Sequence, residues 1–310
     1  MSAVIPPAVV AERVEFASEA FTIVGHLRRP PTPGPAPGVV LTGPLSGVKE
    51  QVVGAYADRL AARGYATLAF DHRRFGESSG LPRQHEDAPG RLADLRDATS
   101  WLSAQDGVDA DRMAAVGVCL GAAYALVFAA FDPRVAAVGL VAGAYNSPAA
   151  MREAMGAQGY RAQLRRAADA AATVTTTGEV AYLPAVALDD GPAFMPGDEP
   201  YAYYGTDRAV SPGWDNRLTV ASLASLLTLD AAGAADFLAP TPAIMVHGRT
   251  DAYCTPEGAQ ATFDRLGEPK SLVWLDTTNH IDLYDVPAFV DAAVDAVAEW
   301  FHARLPRPLG

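Results

Sequence analysis

The chain has 310 residues, with 24 Lys+Arg against 36 Asp+Glu, a net charge of −12. With 50% of residues hydrophobic and 19% charged, it is too apolar to stay disordered, and long enough for one large α/β domain that needs no disulfides. The acidic balance, with no basic run, argues against nucleic acid and an anionic membrane as partners, and two cysteines, Cys119 and Cys254, make no disulfide framework.

The start, MSAVIPPAVVAERVEF, has no basic segment or long apolar core and contains Pro6 and Pro7. No apolar run reaches the roughly 18–20 residues of a membrane span, so a cytoplasmic location is expected. Residues 13–19 and 21–30 read as an antiparallel pair of strands, followed by a Pro/Gly connection. GVVLTG (38–43) is a short apolar strand of the buried-sheet kind. Residues 48–64 keep helical spacing and close on Gly64. The alternation continues with a strand at 66–71, a helix near 88–104, a strand at 113–118, an Ala-rich helix at 120–131 and a strand at 135–143. It resumes with a strand at 242–248, a helix near 256–266, a strand at 271–276 and a C-terminal helix near 287–304.

This alternation predicts a mostly parallel sheet with helices on both faces. Right-handed crossovers then line the strand C-termini along one edge, where ligands of open α/β sheets bind. Residues 146–238 break the rhythm. They read as helical pieces at 148–172 and 216–229 around a Tyr-, Pro- and Gly-rich middle, and the expected domains are a core (1–145 and 239–310) and a mainly helical cap, or lid (146–238).

Gly117-Val118-Cys119-Leu120-Gly121 follows an apolar strand and opens a helix. That is the setting of a nucleophile elbow, whose sharp turn requires nearly side-chain-free neighbours. The helix N-terminus favours thiolate over thiol at Cys119. A cysteine nucleophile needs a base and the base an orienting acid. His280 follows the strand at 271–276, and Asp251 follows the strand at 242–248. His247 and His302 suit packing and surface roles better. The order Cys119, Asp251, His280 is nucleophile, acid, base, each past a strand end.

The elbow, HGRTD (247–251), NHIDLYD (279–285) and DHRRFGESSG (71–80) together resemble the α/β-hydrolase superfamily. The resemblance implies an eight-stranded α/β-hydrolase sheet. The Cys elbow is similar to that of dienelactone hydrolases, which lack a cap of this size. Bacterial capped hydrolases with a Cys elbow and fungal polyketide transferases of the fumagillin type look closer. Their GP-x-x-x-x-KEQ segment is matched by Gly43–Gln51, and their YYGT and H-x-DLYD stretches by Tyr203–Thr206 and His280–Asp285. The sequence departs from the pattern at Thr42, where His is usual, and at Arg74 and Ala122, where Gly is usual.

The expected oxyanion donors are the N–H groups of Leu120, just past the nucleophile, and Leu45, since Pro44 has none. Lys49 and Glu50 either line the mouth of the site or are a solvated lysine and a helix-terminal glutamate. Asp71, Arg73 and Arg74 are expected to pin loops by ion pairing. Cys254 either approaches the site or is a half-buried bystander. Tyr182, Phe194, Tyr201, Tyr203, Tyr204 and Trp214, with Met195, form either an apolar acyl pocket or the cap's own small core.

The sequence therefore predicts a hydrolase of an ester, lactone or thioester, working through an acyl-thioester on Cys119. It needs no metal or organic cofactor, and its partner is a small, apolar acyl substrate. A homodimer is compatible with this reading. The alternative is an acyltransferase passing the acyl group to an alcohol or amine. A non-catalytic hydrolase-like binding protein would require a broken triad.

Overall fold

A computed structural model describes residues 9–188 and 191–306; residues 1–8, with Pro6 and Pro7, lie outside that range. Eight strands form one sheet: β1 (Ala11–Ser18), β2 (Phe21–Arg28), β3 (Ala36–Thr42), β4 (Ala66–Phe70), β5 (Val108–Val118), β6 (Val135–Val141), β7 (Ala243–Gly248) and β8 (Lys270–Leu275). Their spatial order is β1-β2-β4-β3-β5-β6-β7-β8. β1 and β2 are antiparallel to each other and β2 to β4; from β4 to β8 all neighbours are parallel. The Val- and Ala-rich middle strands explain this placement. Every residue of β3 and β7 is buried, as expected for parallel strands covered on both faces.

The helices between strands are α1 (Val52–Ala62), α2 (Ala88–Ser103) and α3 (Leu120–Phe131). α1 starts later than the spacing predicts, because residues 48–51 are taken up in a turn in which the Gln51 N–H donates to the Val48 carbonyl (3.0 Å). Asp87 caps α2 by accepting the Gly90 N–H.

The chain leaves the sheet between β6 and β7. α4 (Pro148–Thr177) is capped by Ser147 and interrupted at Gly156 (φ 68°, ψ 155°). α5 (Asp198–Tyr204), α6 (Leu223–Thr228) and α7 (Ala231–Ala234) follow. Beside its helices the segment carries two short strand pairs that its helical reading did not include. Tyr182–Leu183 pairs antiparallel with Leu218–Thr219, and Val186–Ala187 parallel with Met195–Pro196. Pairing at 218–219 shortens the expected helix over 216–229 to α6, since those backbone groups already have partners. Val220–Phe237 is apolar and long enough in composition to cross a membrane, yet it is broken between α6 and α7. The chain returns through β7, α8 (Pro256–Arg265), β8, α9 (Asp282–Asp285) and α10 (Pro287–Arg304).

Candidate active site

Cys119 stands between the end of β5 and the start of α3 with φ 57° and ψ −123°, a conformation that side-chain-bearing residues avoid unless the surroundings enforce it. The surroundings do. Cys119 N–H donates to the Val141 carbonyl of β6, and the Cys119 carbonyl accepts from the N–H groups of Ala122 and Ala144, all at 3.0 Å. Glycine is required on both sides: a Cβ on Gly117 would lie 2.2 Å from the Gly121 carbonyl oxygen, and one on Gly121 would lie 2.1 Å from that of Thr42.

Asp251, in the turn after β7, is buried. Its Oδ1 accepts the N–H groups of Tyr253 (2.9 Å) and Cys254 (2.7 Å), and its Oδ2 lies 2.6 Å from His280 Nδ1. His280 sits past β8 and is buried as well. Its backbone N–H donates to the Glu199 carboxylate of α5 (3.0 Å), so the insertion helps fix the histidine. The sulfurs of Cys119 and Cys254 and a ring nitrogen of His280 all lie within 4.8 Å of one another. The structure thus brings Cys119, His280 and Asp251 together.

Two members of this cluster were not assigned from sequence. Cys254 is buried, not a half-buried bystander, and its sulfur belongs to the site; its place three residues after Asp251 was the available signal. Tyr284, one helical turn after His280, puts its hydroxyl 2.9 Å from His280 Nε2.

Electrostatics favour a thiolate. The Cys119 thiol is held well below its ordinary pKa, most of all by a hydrogen bond from Cys254. Burial opposes the shift, while the charge and hydrogen bond of His280 and a hydrogen bond from Tyr284 assist it. Cys254 is pushed the other way by the same contact and by burial, so it remains a thiol donor. Burial alone would lower His280, but the Cys119 thiolate and then Asp251 raise it to about 10. Both shifts run in the direction that favours a thiolate–imidazolium pair. Replacing Cys254 by Val removes the donor and keeps the bulk. Alkylation of Cys119 should then lose its acid-side rate at a higher pH than in wild type, because the thiolate loses its main stabilising contact. An unshifted pH profile of iodoacetamide inactivation would contradict that role for Cys254.

A cavity of about 240 Å³ opens above the sulfur. Cys119, Leu120, Leu45 and His280 line it together with Met151, Met195, Leu226 and Ile281; Asn146, Tyr204 and Tyr253 add polar edges. Both residues expected to supply oxyanion donors, Leu120 and Leu45, border this cavity. Of the other residues expected to form an acyl pocket, Tyr204 and Met195 border it.

Lys49, Tyr203, Trp214 and Phe194 do not border it, and each is held elsewhere for a physical reason. Lys49 is fully buried, its Nζ held by Asp71 (2.8 Å), Glu50 (2.7 Å) and Glu77 (2.6 Å). Tyr203 lies edge-on to Tyr204 and Tyr284. Trp214 stacks on Tyr204 and donates Nε1–H to Ser46 Oγ (3.2 Å). Phe194 is tied by its N–H to the Pro184 carbonyl and packs against the core.

Two departures from the expected pattern also find a place. Burial lowers His72 to about 4, so it is neutral; its Nδ1 faces Asp94, and Nε2 accepts the hydroxyl of Thr42 (2.9 Å). Arg74 adopts φ 73° and is held by Asp87 (3.1 Å). His26, Glu50 and Glu77 also converge, but the Lys49 ammonium already occupies both glutamates.

A mostly parallel sheet with a strained residue between β5 and α3, and a histidine and an acid past later strands, is the architecture of an α/β hydrolase. The chain belongs to the α/β-hydrolase family whose model, Hydrolase_4, is described as serine aminopeptidase, S33, and matches residues 45–286. It is 31% identical over 282 residues to the uncharacterized protein YcjY of Escherichia coli K12, covering 86% of this chain and 88% of that one. It is 27% identical to a polyketide transferase of Gibberella fujikuroi (89% and 92% covered) and 27% identical to the thiohydrolase aneE of Aspergillus aculeatus (89% and 88%). The crystal structure of the hypothetical protein PA2218 from Pseudomonas aeruginosa superposes with a TM-score of 0.86 at 27% identity, covering 96% and 95% of the two chains. The protein is an enzyme of this family, a hydrolase or an acyltransferase.

Proposed function

We propose that the protein cleaves an ester, lactone or thioester through a Cys119-His280-Asp251 triad. The observation that carries this reading is the strained Cys119, its sulfur beside a histidine whose far nitrogen is 2.6 Å from a buried carboxylate. The thiolate attacks the carbonyl carbon, and the N–H groups of Leu120 and Leu45 hold the oxyanion. The intermediate collapses, expelling the leaving group, which takes its proton from His280. His280 then draws a proton from water, which attacks the acyl-thioester and releases the acid and the Cys119 thiolate. Asp251 orients the ring throughout. No step calls for a metal or organic cofactor. Residues 146–238 act as a cap, supplying Met151, Met195 and Leu226 to a wall that suits an apolar acyl chain.

That apolar wall, with the relatives named polyketide transferase, also favours a second reading in which an alcohol or amine replaces water. The two are separated by incubating wild type with a medium-chain acyl thioester and rising concentrations of a primary alcohol or amine. Free acid at every concentration supports the hydrolase; ester or amide displacing the acid supports transfer.

A further inference from the structure

We propose that the Tyr204 hydroxyl is a third hydrogen-bond donor to the oxyanion, a catalytic residue supplied by the insertion rather than by the sheet. The inference rests on the reading of Cys119 as nucleophile. Tyr204 ends α5, is buried, and borders the cavity shared by Cys119, Leu120 and Leu45. Its hydroxyl is buried and has no hydrogen-bond partner among the described residues. Folded chains rarely leave such a group unpaired, because its lost hydration is not replaced; a polar atom of the bound substrate would replace it.

The hydroxyl's position says which atom. It lies against the turn that carries Leu45: a Cβ on Gly47 would stand 3.2 Å from the Tyr204 oxygen and 3.3 Å from the Pro44 carbonyl oxygen. The ring is held in place beforehand. It stacks on Trp214 (5.4 Å between centroids, 17°) and meets Tyr203 edge-on (4.8 Å). Trp214 in turn donates to Ser46 of the same turn. Burial, then the neighbouring Tyr203 and Cys119, keep the phenol well above its ordinary pKa, so it remains a donor. In the step itself sulfur bonds to the carbonyl carbon, the carbonyl π electrons pass to oxygen, and the Tyr204 O–H donates to that oxygen without giving up its proton. When the carbonyl re-forms, the leaving group departs with the proton of His280.

Tyr204→Phe keeps the ring and its stack. We expect kcat for acyl-thioester turnover to fall on the order of 10²-fold with KM within about twofold of wild type. Affinity for a simple alkyl aldehyde, whose hemithioacetal with Cys119 places an oxygen at the oxyanion position, should fall in parallel with kcat/KM. Unchanged kcat in Tyr204→Phe would overturn the proposal. So would a loss confined to KM with aldehyde affinity unaltered, since the hydroxyl would then be binding the acyl chain. Intact-mass detection of an acyl adduct on wild-type Cys119 separates these outcomes from failure of the nucleophile reading. No adduct on wild type would remove both.

Discussion

Cys119→Ala is expected to lower turnover of acyl thioesters by roughly 10⁴- to 10⁶-fold while the protein still folds. The substitution removes the only atom that would bond to the carbonyl carbon, and no nearby group can replace it. Cys254 shares the site but is held as a thiol, its pKa raised by its contact with Cys119 and by burial. The backbone at 119 is set by hydrogen bonds from its own N–H and carbonyl to Val141, Ala122 and Ala144, none of which involves the sulfur. Circular dichroism should therefore match wild type, and steady-state kinetics should carry the whole effect. Turnover close to wild type would remove the covalent mechanism.

Lys49→Met should destabilise the fold by about 3–5 kcal/mol, measured as the shift in urea unfolding. Lys49 and Asp71 are both fully buried, joined through Nζ at 2.8 Å, with the Lys49 N–H donating to the other carboxylate oxygen at 2.8 Å. Burial alone would lower the lysine's pKa, but Asp71, then Glu50 and Glu77, raise it above the ordinary value. Methionine fills the space and leaves the Asp71 carboxylate without its cation. Glu50 and Glu77 reach solvent and can rehydrate, so Lys49→Met/Asp71→Leu should recover much of the loss. A single variant as stable as wild type would show that the pair contributes nothing to folding.

The sheet was legible because strands buried on both faces must be apolar throughout, and runs such as 113–118 and 243–248 have few other uses. The elbow was legible for a steric reason: only glycine fits at 117 and 121, so Gly-x-Cys-x-Gly between strand and helix constrains the turn directly. Long-range pairing was harder to see. Lys49 is one of two lysines in the chain, and nothing local marks it as the cation that closes around Asp71 and Glu77. Tyr204 is one of six aromatics in residues 182–214. What separates it from Tyr203 is the direction its ring takes at the end of α5, which depends on Trp214 and Ser46 and not on the Tyr-Tyr sequence itself. The short pairs at 182–183 and 186–187 escaped the periodicity because two residues carry none.

The most direct test of the account is intact-mass spectrometry of wild type and Cys119→Ala, quenched shortly after mixing with an acyl thioester and followed by peptide mapping. The account predicts one acyl group added to wild type, located on the peptide containing Cys119, decaying as product forms, and no addition to Cys119→Ala. Substrate turnover by both proteins with no adduct on Cys119 would contradict it.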